Sequence, residues 1–370
     1  MAYKLISSRL QTTTTTATAA TAAKNDSSNQ QQQQQQLNIA NSLAIDKSVT
    51  LPYFYLQNIA SFFEGKVFRE DFSSALLAGK ALKEINAWIS QHTGGKIGQL
   101  FDPNGAGQQQ LSQIKLLLLS AVYFKSAWKW KFPKNKTEKA DFFTSSQSST
   151  TTTAKQVEMM HLRAPLRYAR SGGNSESESS WELLELPYQN RSFQKVFPEF
   201  AAKQLAMYVF LPSSSKSNKS ALQRYSLHKL SSLIEQLNPY PEVVVQLPKF
   251  HLKAEYSLRK PLEPWLGDTA FSPSRANFSW MIEGGEANNT DPRLHISEIK
   301  HKAVIKVDEE GAEAAAVTDI EIIHPPHPGL PPPPPPHFIA NRPFVFVIRE
   351  MDTSAGRKGV IFFSGVVNDP

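Results

Sequence analysis

Three imidazoles, His324, His327 and His337, lie near one another in this chain. Three such rings are enough to hold a zinc ion. The backbone around them is the proline-rich tract Pro325–Pro336, which does not fix three rings on one rigid face. No metal site and no cofactor are therefore expected. His161 and His251 fall in strand-like stretches and read as ordinary strand residues. The chain lacks a phosphate loop, a Gly-x-Gly-x-x-Gly turn, a Gly-x-Ser-x-Gly elbow and a His-Glu-x-x-His pair, each of which places specific groups around a reacting atom. Cysteine is absent, which removes disulfides, thiolate metal ligands and thiol nucleophiles. The residues predict a protein that is not an enzyme.

The chemistry that remains is conformational. Residues 309–324 read Glu-Glu-Gly-Ala-Glu-Ala-Ala-Ala-Val-Thr-Asp-Ile-Glu-Ile-Ile-His. At period two, Ala312, Ala314, Ala316, Thr318, Ile320 and Ile322 share one face. Glu313, Ala315, Val317, Asp319, Glu321 and Ile323 share the other. A half-buried strand wants that alternation, yet the Ala- and Glu-rich first half favours helix. Prolines follow, and proline stops both helix and central strand. The segment suits a loop or helix in one state and an inserted strand in another, or a short amphipathic helix after a strand.

Helices and strands must position this segment. Residues 74–92 carry Leu76, Leu77, Leu82, Ile85, Trp88 and Ile89 near a helical period, and Gly94-Gly95 ends the run. Strands are predicted at Leu116–Lys125, Val157–Leu162, Trp181–Pro187, Leu205–Leu211, Val243–Phe250, His301–Val307, Val345–Arg349 and Val360–Val367. Leu227–Leu237 reads as a short helix. Residues 144–156, 171–180 and 283–292 read as loops. Strand-rich segments with scattered helices make the fold class α+β.

The chain has 370 residues, 40% hydrophobic content and a net charge of +7. No run of about 20 apolar residues occurs, so no membrane span is expected. Lys125, Lys129, Lys131, Lys134, Lys136 and Lys139 interleave with Tyr123, Phe124, Trp128, Trp130 and Phe132. That pattern fits either a polyanion patch or a strand with buried aromatics and a solvated lysine face. The strand is the expectation, and no nucleic-acid partner is predicted. Residues 1–40, with the threonine and glutamine runs, read as a disordered low-complexity segment. No secretory signal is visible, and the Ser/Thr-rich, acid-free residues 1–25 faintly resemble a transit peptide. A cytoplasmic monomer is expected.

Several segments carry a family resemblance. They are Ile85-Asn-Ala-Trp-Ile-Ser-Gln-His-Thr-Gly-Gly-Lys-Ile97, Ala121-Val-Tyr-Phe-Lys125 with Trp128, Val157-Glu-Met-Met160 and Leu184-Glu-Leu-Pro-Tyr188. Met207-Tyr-Val-Phe-Leu-Pro212, Gln246-Leu-Pro-Lys-Phe250, the stretch His295–Gly311 and the two segments 338–350 and 359–370 continue the series. In this order, over residues 41–370, they resemble the serpins. Residues 340–350 look most like the plant members.

The resemblance implies a large central mixed sheet, a second packed sheet, peripheral helices and an exposed reactive loop over about 309–342. It implies serine-type protease inhibition: an endopeptidase cuts the loop, the loop enters the central sheet as a strand, and the protease is trapped. Extracellular action is the family's other setting. The hinge would be Glu309, Glu310, Gly311, Ala312, Glu313, Ala314, Ala315 and Ala316, where small side chains enter a packed sheet without overpacking. His301 and Ser120 would lie at the shutter beneath the sheet, and Trp128 at the breach above it. For His301 and Trp128, plain core packing is the competing reading.

Three departures stand out. Low-complexity sequence replaces the first helices, so the N-terminal helical layer is largely missing. Ser120 and Ser126 stand where the family has asparagine and glycine. The bait is unusual. Spacing from Glu309 puts the cut at Pro325-Pro326, and spacing from Pro343 puts it within Pro331–Pro336. No Lys or Arg occurs between Lys306 and Arg342. The usable bonds are Ile322-Ile323, Ile323-His324 and Gly329-Leu330, with Ile323 preferred. They point to a serine or cysteine endopeptidase of apolar specificity. Pro325–Pro336 would form extended polyproline helix, either a spacer or a ligand for a polyproline-reading domain in a non-inhibitory protein.

Overall fold

A computed structural model describes residues 36–63, 65–101, 114–145, 152–171, 180–189, 204–212, 232–282, 294–310, 334–351 and 359–370. In chain order the elements are β1 Gln36–Asp46, α1 Tyr53–Phe63, β2 Lys66–Glu70, α2 Ala75–His92, β3 Leu116–Lys125, β4 Glu138–Ser145 and β5 Thr152–Arg170. Then come β6 Trp181–Pro187, β7 Leu205–Pro212, β8 Asn238–Pro248, β9 Phe250–Ser257, α3 Arg259–Leu266, β10 Ile296–Val307, β11 His337–Ile339, β12 Phe344–Glu350 and β13 Ile361–Val367. The described residues form two compact units, one from 36–124 and 252–305, the other from 125–251 and 306–370.

The first unit is built on a five-stranded sheet in the order β2-β1-β3-β10-β9. β10 runs parallel to β3, in register from Ile296 opposite Leu116 to Ile305 opposite Phe124. α2 covers one face. Ser74 caps it, its side chain accepting from the Leu77 amide at 3.3 Å, and the positive φ of Gly94 and Gly95 ends it. Its buried stripe of Ala78, Ala81, Leu82, Ile85 and Ile89 packs with Leu117, Leu119, Ala121 and Tyr123 of β3. Full burial of Leu82, Ile85 and Ile89 stabilises by about 1.5–3 kcal/mol each. On the opposite face Leu43, Ile45, Leu116, Ile296 and Ile299 pack with Phe271 and Leu294. Farther along that face Leu118, Ser120, Val122, His301 and Ala303 are only half-buried.

The second unit holds an eight-stranded sheet, β11-β8-β5-β6-β7-β12-β13, with β4 also paired to β5. β7 and β12 are buried along their whole length, as expected for interior strands rich in Val, Ile and Phe. Leu183, Tyr208, Phe210, Val345 and Val347 pack there with Leu233, Ile234 and Leu237.

Three expectations are corrected. Residues 36–40 belong to β1 rather than to the low-complexity segment 1–40; Ala40 is buried there. Of the predicted loop 144–156, the described residues 144–145 and 152–156 are strand: β4 and β5 pair antiparallel from Glu138–Met159 to Ser145–Thr152. Its threonines are β-branched and suit a pleated surface. The stretch after Lys125 is an irregular loop with one 3₁₀ turn, Lys134–Lys136, instead of a strand. Its aromatics Trp128 and Phe132 are buried as expected, while Lys129, Lys134, Lys136 and Lys139 are exposed. No helix among the described residues is long and apolar enough to cross a membrane.

Candidate functional site

β10 ends at Val307, and the next three residues are held fast by the irregular loop that follows β3. The Trp128 indole N–H donates to the Asp308 carbonyl at 2.9 Å. The Trp128 amide donates to Glu310 O at 3.2 Å and the Phe132 amide to Glu309 O at 2.9 Å. These bonds explain why residues 126–133 leave the strand conformation. Their amides satisfy the carbonyls of another segment instead of a regular ladder. Trp128 itself is set by a stack on Tyr188, with ring centroids 4.5 Å apart, and by the edge of Phe132 at 6.3 Å. A single bridge to Tyr188 and the bond from Lys129 N to Pro187 O at 2.9 Å tie the loop to the end of β6.

The side chains add a charged clamp. Glu309 is only 6% exposed. Its carboxylate accepts from Lys249 Nζ at 2.7 Å and from the Thr137 hydroxyl at 2.8 Å. Burial pushes the Glu309 carboxyl up. The hydrogen bonds from Lys249, its own backbone and Thr137, together with the Lys249 charge, outweigh burial and hold it below the usual range. For Lys249, burial pulls the amine down, but Glu309 and Glu158 bring it above its ordinary value. Lys249 lies 3.5 Å from Glu158, and Lys134 pairs with Glu310. The clamp fixes Asp308, Glu309 and Glu310 through backbone, aromatic and ionic contacts at once.

In the first unit the sheet register sets Ser120 directly opposite His301. Burial pushes the His301 imidazole below its ordinary pKa. Tyr256 lies over it, nearly parallel, at 6.5 Å.

The comparisons with known proteins bear on this arrangement. Residues 4–370 match the family described as Serpin (serine protease inhibitor). This chain belongs to the serpin family. It is similar to Iripin-5 of Ixodes ricinus, 32% identical over 90% of this chain and 72% of the relative. It is similar to the leukocyte elastase inhibitor of Sus scrofa, 31% identical over 90% of this chain and 78% of the relative. The crystal structure of native protease nexin-1 with heparin superposes with a TM-score of 0.68 at 26% identity, covering 90% of this chain and 77% of that one. The fold is the serpin fold of large mixed sheets and few helices. Similar proteins come from ticks, mammals and plants alike.

The structure of this serpin brings Trp128, Glu309 and Glu310 together, and separately pairs Ser120 with His301. Gly311, Ala312, Glu313, Ala314, Ala315 and Ala316 lie outside the described residues. So do Ile322, Ile323, His324, Pro325, Pro326, His327, Gly329 and Leu330. His337 opens β11 and is exposed, and among the described residues no group of acids and histidines could hold a metal. Ser126 is buried, and among the described residues its hydroxyl has no hydrogen-bond partner. The expected glycine would leave no such group. Sequence reasoning missed Thr137, Lys249 and Tyr188 as parts of the clamp. Lys249 and Tyr188 do lie within segments that carry the serpin resemblance.

Proposed function

We propose that this serpin inhibits a serine endopeptidase of apolar specificity, with a cysteine endopeptidase of like specificity as a second target class. The segment after Glu310 is the bait, and it enters the sheet between β3 and β10 once cut. The observation that carries this reading is the clamp on Asp308–Glu310, placed where β10 leads into the alanine-rich segment. It holds the hinge out of the sheet until the segment is cut. β3 and β10 are parallel neighbours. A strand that turns back after Glu310 runs antiparallel to β10 and therefore antiparallel to β3 as well, so both of its edges can be satisfied. Ala312, Ala314 and Ala316 give that strand a small face. The apolar specificity rests on Ile322, Ile323 and Gly329, the residues before the bonds free of proline.

The test is incubation of the intact chain with an elastase-like and a chymotrypsin-like protease, followed by a denaturing gel. A band surviving denaturation at the summed mass is expected, with Ile322, Ile323 or Gly329 at the new C-terminus. Complete hydrolysis without that band would make the chain a substrate and overturn the reading.

A further inference from the structure

Among the described residues three buried side-chain polar atoms have no hydrogen-bond partner: Ser42 Oγ, Ser126 Oγ and His161 Nε2. Ser42 lies in β1 and His161 in β5. Ser126 alone adjoins the seam between β3 and β10. β3 ends at Lys125, and Ser126 follows it directly. The β3–β10 ladder runs as far as Phe124 opposite Ile305. Two further residues in that register set Ser126 level with Val307, at the end of the seam nearest the clamp. Ser126 is 2% exposed and Val307 3%.

The polar groups that follow Ser126 and run past it are engaged elsewhere. The Ala127 carbonyl accepts from the Gln189 amide at 2.8 Å, and the Trp128 amide donates to Glu310 O at 3.2 Å. The Asp308 carbonyl takes the Trp128 indole N–H at 2.9 Å, and the Glu309 carbonyl takes the Phe132 amide at 2.9 Å. The clamp pairs these groups and leaves one side-chain hydroxyl over. A buried hydroxyl without a partner destabilises the state that holds it, and such a group is one form in which a fold stores strain. Ser126 stands where the serpin resemblance predicts glycine, so this chain carries a cost that the predicted residue would not.

We propose that Ser126 helps to drive strand insertion: its hydroxyl is without a partner in the uncut protein and gains one from the main chain of the strand that enters between β3 and β10. This inference rests on the insertion reading given above. Entry parts β3 from β10, so Ser126 separates from Val307 and new main chain runs between them. Alternate residues of an antiparallel strand turn both their amide and their carbonyl toward the same neighbour. A serine hydroxyl rotates to donate or to accept and can pair with either group. The cost therefore falls on the uncut state and is relieved in the inserted one, which enlarges the free-energy drop that insertion releases.

Ser126→Ala and Ser126→Cys test the proposal. Alanine removes the hydroxyl and shrinks the side chain; cysteine enlarges it and leaves only a weak donor. Agreement between the two assigns the effect to the hydroxyl rather than to volume. The chain has no cysteine of its own, so the new thiol has no disulfide partner within it. Each protein is cut with thermolysin, a zinc protease that forms no acyl-enzyme and so cannot be trapped. Mass spectrometry fixes the cut within residues 311–333. Unfolding of the intact and cut forms in guanidinium chloride is then compared. The parent should gain stability on cutting. Both variants should be more stable than the parent when intact, by about five- to a hundredfold in folding equilibrium constant, and no more stable than it when cut. Intact variants no more stable than the parent, or variants that shift both forms equally, would overturn the proposal and leave insertion standing. A parent that gains nothing on cutting would overturn insertion and this proposal with it. Neither result depends on which protease the chain inhibits.

Discussion

Replacing Lys249 by methionine should unfasten the hinge base while keeping most of the side-chain volume. Glu309 is buried, and its bond to Lys249 is 2.7 Å long. A hydrogen bond to a charged group contributes about 1.5–3 kcal/mol. Removing one member of a buried pair also strands the other charge. Thr137 keeps its bond to the carboxylate at 2.8 Å, which offsets part of that cost. The net loss expected at neutral pH is therefore about 2 kcal/mol. Glu309→Gln alone should cost less, since the amide oxygen still accepts from Thr137. The double variant should recover part of the loss, because no carboxylate then lies stranded. The assay is urea unfolding of the parent, both single variants and the double variant, assembled into a double-mutant cycle. A coupling of about 1–2 kcal/mol is expected for residues in contact. A coupling below about 0.5 kcal/mol would mean that the clamp is backbone and aromatic only, and that the ionic part of the argument is wrong.

The same pair sets a pH dependence. The Glu309 carboxyl is held down, so its contribution is present above the ordinary glutamate range and lost as pH falls through its lowered pKa. The Lys249 amine is held up, so its contribution persists until pH rises through its raised value. The parent's margin over Lys249→Met should thus be flat around neutrality and close in acid; a margin unchanged in acid would exclude Glu309 as the titrating partner. Trp128→Phe removes the indole donor to Asp308 and should cost about 1 kcal/mol, read by the same urea titration, with far-UV circular dichroism unchanged. Ala314→Arg should leave the uncut protein's stability intact but abolish trapping, because insertion would bury an unpaired charge. A protease gel with undiminished complex would exclude insertion at that face. Asn86→Ala should cost about 2–3 kcal/mol in thermal or urea unfolding. It strips the amides of Leu100 and Phe101, which reach Asn86 Oδ1 at 2.8 and 3.2 Å.

Elements whose signals are local were legible in the sequence. α2 announces itself by an apolar stripe and two glycines, and the structure places the helix at Ala75–His92 with the glycines just past its end. β3, β7 and β12 are mostly apolar runs and β6 carries four apolar residues around two glutamates, and each falls within a residue or so of its expected place. The β4–β5 hairpin was hidden, because its Ser- and Thr-rich end looks like a loop until the partner strand is known. The clamp was half legible. Trp128, Glu309 and Glu310 came through the resemblance, but Lys249 and Thr137 meet Glu309 from distant parts of the chain, and no periodicity encodes such a pair. The irregular course of residues 126–133 was equally out of reach, since it is imposed by carbonyls of residues 308–310.

The position of β12 has a consequence for synthesis. It is an interior strand, seated between β7 and β13, yet Phe344 is made about 130 residues after β7 ends at Pro212. At about 5–20 residues per second, β7 waits roughly 7–26 s for its neighbour. During that interval an eight-residue apolar strand emerges with one ladder unfilled. Such an edge recruits other nascent chains. The yield of this protein in a cell should therefore respond to translation speed and chaperone supply well before any change in the stability of the finished fold.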